Sequence, residues 1–324
     1  MTTNPTGDAT GLQTAEEAEK PPASPNQQNE QPPEVEIVGA SLKRDATSWF
    51  HRHLPPDWSK RIYVVDDPQA PLTVPKNKGR EAMVYLTHIV DNYDTLATTT
   101  VFFHAARFAW HNDDPDYDAV PTLKSLRLDH VRQAGYVNLR CVWTIGCPDE
   151  IHPHLDAEEA SSRLSEAEIA GAGSDGQAKE RPPVTTKAVY KRAFEELLPG
   201  VPVPDVVAVS CCSQFAVTRE AIRRRPREDY VRFRDWLLET PLTDDLSGRV
   251  MEFAWHIIFG KESVHCPSAR ACYCDLWGLC NKGMSCTDGG CEGRYTLPKI
   301  ATLPDQWPVL GWEGEDRNFT GPLD

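Results

Sequence analysis

The stretch RIYVVDDPQAPLTVPKNKGREAMVYLTHIVDNYDTLATTTVFFH, Arg61 to His104, decides the fold. Ile62 to Val65 (IYVV) is a short apolar run ending in polar residues, which predicts a buried strand. Gly79 to Tyr93 predicts a helix, because Met83, Leu86, Val90 and Tyr93 share one face at helical spacing. Thr99 to His104 (TTVFFH) predicts the next strand.

The same alternation continues outward in both directions. Val35 to Ala40 (VEIVGA) reads as a strand upstream. Downstream, Leu123 to Gln133 reads as a helix, Tyr136 to Cys141 as extended, and Ala188 to Leu198 as a helix. Val206 to Val217 reads as a long strand or strand pair. Helices follow over Arg227 to Leu238, with Pro226 suitably placed near the start, and over Gly248 to Phe259. Alternating strands and helices favour an α/β domain built on a Rossmann-like, doubly wound, mostly parallel sheet. In that architecture ligands sit at the carboxyl ends of strands.

The 324 residues are 40% hydrophobic and 25% charged, enough to bury a sizeable core. A formal net charge of -14 disfavours a nucleic-acid backbone or an anionic membrane as main partner, since both would repel it. No apolar run reaches the ~18 residues of a bilayer span, and MTTNPTGDATGLQ lacks the basic start and apolar middle of a secretory signal. Residues 1–34 form an acidic segment whose only large aliphatic side chain is Leu12. Ordering costs ~1–2 kcal/mol per residue against ~1.5–3 kcal/mol for one buried leucine, so a disordered tail is expected. Residues 35–295 are then a single α/β domain, with a flexible, partly helical insertion at about 155–183, and residues 296–324 are a C-terminal extension.

Ten cysteines are present, six of them between Cys266 and Cys291. Successive members of that cluster have no Cys-x-x-Cys spacing, which weakens a zinc-finger reading. Disulfides that restrain a Gly-rich tail, each contributing ~2–4 kcal/mol, fit better. Such cysteine usage suggests a secretory lumen or the extracellular space, whereas the absence of a signal suggests the cytoplasm. Cys211 and Cys212, inside an apolar strand, read as buried inert thiols, either of which can pair with Cys141 or Cys147.

Several polar groups follow the expected strands. Asp66 and Asp67 offer two carboxylates or merely a turn. The loop of Asn77, Gly79, Arg80 and Glu81 opens a helix: Gly79 allows close backbone approach, free N–H groups lie at the helix start, and Arg80 adds a planar fork for phosphate or carboxylate. Glu81 in a first helical turn is equally ordinary dipole compensation. In FFHAARFAWHNDD, Phe102 to Asp114, His104 ends a strand and Arg107, His111, Asp113 and Asp114 follow. Imidazole plus carboxylate suits a metal or an acid/base pair, and the bland alternative is packing and a cap. Arg249, Glu252 and His256 share a helix face, where Glu252 serves as a general base if buried and as half of a solvated ion pair if not.

The blocks SLKRDATSWF, YVVDDPQAPLTVPKNKGREAMVYLTHIVDNYDTL, FFHAARFAWHNDD, GYVNLRCVWTIGCPDEIHP, CCSQFAVTREAIRRRP and CYCDLWGLC resemble the fungal domain-of-unknown-function 3431 family, from Val35 to the cysteine cluster. Its layout is similar to that of nucleotide-sugar glycosyltransferases of the GT-A type. That resemblance implies a GT-A-like fold and transfer from a nucleotide sugar to a hydroxyl acceptor. Glu252 and His104 would be catalytic, and Asn77, Gly79, Arg80, Glu81, Arg107 and Arg249 would bind ligand. His111, Asp113 and Asp114 would hold a divalent cation, manganese or magnesium. No Asp-x-Asp follows the strand ending at His104, a departure that keeps two alternatives open: a non-catalytic binding protein that kept the fold, and a cytosolic protein with a structural zinc in its Cys-rich tail.

Overall fold

In a computed structural model of the protein, which describes residues 32–171, 184–280, 286–287, 290–291 and 302–323, the apolar runs form strands and the periodic segments helices. The chain passes through β1 (Val35–Ser41), α1 (Trp49–His53), β2 (Ser59–Val64), α2 (Ala82–Asp91), β3 (Thr99–His104), α3 (Ala119–Lys124), α4 (Leu128–Ala134), β4 (Tyr136–Asn138) and α5 (Pro153–Gly171). It continues through α6 (Thr186–Leu197), β5 (Ala208–Val209), β6 (Phe215–Thr218), α7 (Arg219–Ile222), α8 (Arg227–Glu239), α9 (Asp244–Glu252) and α10 (Trp255–Ile258). Last come β7 (Val264–His265), α11 (Ala269–Trp277), β8 (Cys286–Thr287) and β9 (Gly290–Cys291).

Five strands form one sheet in the order β2-β1-β3-β6-β4. β1 pairs in parallel with β2 and β3, while β6 runs against both β3 and β4, so four strands share one direction. Side chains alternate between the faces. Val35, Ile37, Val101 and Phe103 join Trp49 and Phe50 of α1 in one buried cluster. Val38, Phe102, Phe215 and Val217 join Met83, Tyr85, Leu86 and Ile89 of α2 in the other. Helices therefore cover both faces.

The connectivity fixes where a crevice can open. From β1 the chain moves out to β2 on one side, and it then returns to β3 on the other side of β1. The strand order reverses between β1 and β3, and loops leaving their carboxyl ends diverge there, which is where open α/β sheets hold ligands. Glu36 of β1 ties this frame together. It pairs with His88 of α2 at 3.0 Å and accepts from Ser59 and Arg61 of β2 at 2.8 and 2.9 Å.

Three of the expected segments are divided in the fold, and Val206 to Val217 is the strand pair rather than the single long strand. The helix expected over Leu123 to Gln133 is two helices, α3 and α4, because Arg127 donates its N–H to Leu276 O of α11 at 2.9 Å. Val206 to Val217 is split into β5 and β6, which join different sheets, by a turn at Cys211 to Gln214. Gly248 to Phe259 breaks after Glu252, where the Phe253 carbonyl accepts the Tyr190 hydroxyl at 2.8 Å. The insertion's first part is helical as far as Gly171, and its remainder, like the amino-terminal tail, lies outside the described residues.

Eight of the ten cysteines are oxidised: Cys141–Cys272, Cys147–Cys266, Cys211–Cys212 and Cys274–Cys280 are disulfides. The reading of Cys211 and Cys212 as inert thiols or partners of Cys141 or Cys147 is thereby corrected, since those two are drawn to α11 and its approach while the adjacent pair closes on itself. Among the described residues, no helix is long and apolar enough to cross a membrane.

Candidate functional site

The Asn77–Glu81 loop needs its glycine. Gly79 has φ +70°, and a Cβ there would lie 2.7 Å from Leu237 Cδ2 of α8. Arg80 follows, also in the left-handed region at φ 51°, and donates its backbone N–H to Asp244 Oδ1 at 3.2 Å. Gly248 of α9 packs on this loop, its absent Cβ 3.1 Å from Gly79 O. The close approach brings Arg249 and Glu252 alongside the start of α2.

Glu81 occupies the N-cap of α2 but makes no side-chain cap bond. Its carboxylate instead takes His104 Nδ1 at 2.9 Å. His104 Nε2 faces Cys212 O at 2.7 Å, and a carbonyl only accepts, so Nε2 donates. Both ring nitrogens thus face acceptors, the pattern of an imidazolium. Burial alone would lower the His104 pKa, but the Glu81 carboxylate and the Cys212 carbonyl carry it above its ordinary value. Burial would likewise raise Glu81, and His104 holds it below the usual range.

Glu252 closes the constellation from the other side. Its Oε1 accepts the Cys212 N–H at 3.0 Å, so one residue, Cys212, supports the base candidate through its N–H and the imidazolium through its C=O. Burial pushes the Glu252 pKa up, and neighbouring Glu81 adds to this; Arg249 and the Cys212 N–H offset part of it. His111 stacks on His104 with ring centroids 4.2 Å apart. Burial, reinforced by the charges of His104 and Arg140, pushes it well below its ordinary pKa. Gln214 Nε2 lies 3.2 Å from His111 Nδ1, which as a neutral ring accepts there and keeps its proton on Nε2.

Two adjoining cavities open over these groups. The larger, about 690 Å³, lies outside the ends of β1 and β3 and is lined by Ser41, Arg44, Asn77, Arg80, His104 and Arg107 among others. The smaller, about 160 Å³, is bordered by Trp110, Ile145, the Cys211–Cys212 disulfide, Arg249 and Glu252. Arg80, Glu81, His104 and His111 line both. Arg44 makes no ion pair among the described residues, whereas Arg80 pairs with Asp245 at 2.7 Å where both are exposed.

Other nominated residues are engaged elsewhere. Arg107 reaches the larger cavity, but its guanidinium is locked onto Asp118 by bonds of 2.9 and 2.7 Å and onto Pro322 O at 2.7 Å. Asp113 is buried and turned to the Cys141 N–H and the Tyr273 hydroxyl, and Asp114 accepts from the Asp116 N–H. His111, Asp113 and Asp114 therefore do not converge as a ligand set for a divalent cation. Among the described residues no group of three or more His, Cys, Asp or Glu side chains is placed to hold one. Asp66 and Asp67 serve their turn and Lys43. His256, grouped by helical spacing with Glu252, is buried beyond the helix break and bonded to Ser263 O at 3.0 Å.

Arg44, Trp110, Gln214 and the Cys211–Cys212 pair are site residues that periodicity does not find. The one signal in the sequence is the adjacency of two cysteines before Ser-Gln, and it carries weight only once the turn is seen. A family model described as "Protein of unknown function (DUF3431)" matches residues 37–275. No curated protein and no solved structure matches the chain.

Proposed function

Because the chain belongs to this family of unknown function, DUF3431, its site must argue for its own chemistry, and we propose that it is a GT-A-like glycosyltransferase using a nucleotide-sugar donor and a hydroxyl acceptor. One observation carries the reading. Asn77, Arg80, Glu81, His104, His111, Arg249 and Glu252, from separate segments, border joined cavities at the strand-order reversal.

The larger cavity takes the donor, its diphosphate beside Arg44 and Arg80. The smaller takes the acceptor beside Glu252. Glu252 removes the acceptor hydroxyl proton, the oxygen bonds to the anomeric carbon, and the bond from that carbon to the phosphate oxygen breaks. Its electron pair departs with the nucleoside diphosphate. A raised carboxylate pKa suits a base working near neutrality, and the fixed imidazolium of His104 opposes the charge growing on the leaving group. No step is routed through a metal ion, since the nominated ligands do not fit one. Four disulfides support an oxidising compartment.

A panel of nucleotide sugars, with and without manganese, tests the reading by thermal shift and by transfer to water or simple glycosides. At least one donor should raise Tm, and Glu252→Gln should keep that shift while losing transfer. A panel that leaves Tm unchanged, or a Glu252→Gln variant with full transfer, would reject it.

A further inference from the structure

Arg140 is a buried cation without a carboxylate partner among the described residues. It is 2% exposed. Its Nη2 donates to Thr144 O at 3.2 Å, its guanidinium lies 5.1 Å from the Trp110 ring centroid, and its Nε meets no acceptor. The remaining arm, Nη1, is directed at Cys212 Sγ, 3.9 Å away. A desolvated guanidinium without counter-charge is costly, and the atom beside it is a sulfur that becomes an anion when its disulfide opens.

We infer that the Cys211–Cys212 disulfide is a thiol-exchange site, with Cys212 as the leaving sulfur and Arg140 as the counter-charge of its thiolate. Its reaction partner is a dithiol. One thiolate of the dithiol attacks Cys211 Sγ from the smaller cavity, which both cysteines line. A new S–S bond forms, the Cys211–Cys212 bond breaks, and its electron pair goes to Cys212 Sγ. The second sulfur of the dithiol, deprotonated, then displaces Cys211, which takes up a proton. The dithiol leaves as a disulfide, two electrons poorer, and the pair is reduced. Attack at Cys211 is favoured because the thiol of lower pKa leaves faster.

The groups facing the new thiolate decide that pKa. Arg140 beyond β4, His104 of β3, and Arg80 and Arg249 around α9 favour the anion, whereas Glu81 and Glu252 oppose it. Arg140 stands against the sulfur itself, and an adjacent guanidinium lowers a thiol pKa.

Opening the pair has a consequence for the neighbouring groups, and only this part rests on the glycosyl-transfer reading. Cys212 and Ser213 sit in the left-handed region, at φ 96° and 48°, and the small ring that a bond between adjacent cysteines closes restrains Cys212 there. Release allows the residue to relax, turning the N–H that holds Glu252 and the C=O that holds His104.

The test treats the full chain with graded dithiothreitol, traps thiols with iodoacetamide, maps them by peptide mass, and follows the fold by near-ultraviolet circular dichroism. Cys211 and Cys212 should be labelled while Cys141–Cys272 and Cys147–Cys266 stay closed and the spectrum persists. The labelling rate of Cys212 should rise with a midpoint at least one pH unit below the ~8.5 of a free cysteine. Arg140→Met should move that midpoint up, and Arg140→Lys should keep it low. Should either variant fail to fold, the wild-type midpoint decides alone. A pair that opens only when Cys141–Cys272 and Cys147–Cys266 do, or a midpoint at or above ~8.5, would overturn the inference. These readouts need no sugar donor, so either proposal can fail while the other stands.

Discussion

Replacing Glu36 by Gln probes the frame that holds the site without touching the site itself. The side chain is 5% exposed and lies near the amino end of β1, away from the cavities. Desolvation by burial would raise its pKa, but His88, Arg61 and Ser59 overcome this and lower it from the ordinary 4.5 to about 2. A depressed carboxylate pKa stabilises the fold above the unfolded value, and that stability is lost as pH falls toward the folded one. At ~1.4 kcal/mol per pH unit, linkage gives about 3 kcal/mol lost between about pH 5 and pH 2. Urea denaturation of wild type and Glu36→Gln, disulfides intact, should therefore differ by an amount that shrinks by about 3 kcal/mol over this window. The amide has no proton to exchange, so the change with pH isolates the carboxylate whatever its own packing costs. A difference constant from pH 6 to pH 2.5 would refute the buried ion network.

Three further outcomes follow from the geometry. Gly79→Ala should destabilise the fold by about 1–3 kcal/mol in chemical denaturation, because its Cβ meets Leu237 Cδ2 at 2.7 Å in a left-handed backbone; it should also weaken donor binding through the displaced Arg80. Arg107→Met leaves buried Asp118 without its partner and should cost ~3–5 kcal/mol in the same assay, whereas Asp245→Asn, breaking an exposed pair with Arg80, should cost under ~1 kcal/mol. Transfer should show a bell-shaped pH profile: it rises as Glu252 deprotonates through a raised pKa and falls as the His104 imidazolium, also raised, is lost. A profile flat from pH 5 to 9 would contradict those roles.

What the sequence shows and what it hides follow from range. The strands and α2 are legible because alternation and the 3.6-residue period are local patterns that burial imposes directly. Pattern also places Asn77, Arg80, His104 and Glu252 at strand or helix ends, and the reversal of strand order brings them together. The breaks at Arg127 and Phe253 are invisible, since each depends on a partner, Leu276 O or the Tyr190 hydroxyl, far away in sequence. The engagement of Arg107 by Asp118 and of Asp113 by Tyr273 is hidden for the same reason, and spacing alone makes both look available. Cys211 and Cys212 look like ordinary core residues until the turn brings the C=O and N–H of Cys212 to His104 and Glu252.

His104, His111 and Glu252 border one cavity, and the proposed chemistry requires that a ligand fill it. Imidazole resonances recorded by nitrogen–proton correlation, while nucleotide sugars are titrated into the full chain, test this most directly. A bound donor should shift the His104 and His111 rings and leave His256 of α10 and His265 of β7, which line neither cavity, unmoved. Donors that move neither of the first two rings, or that move all four alike, would contradict it.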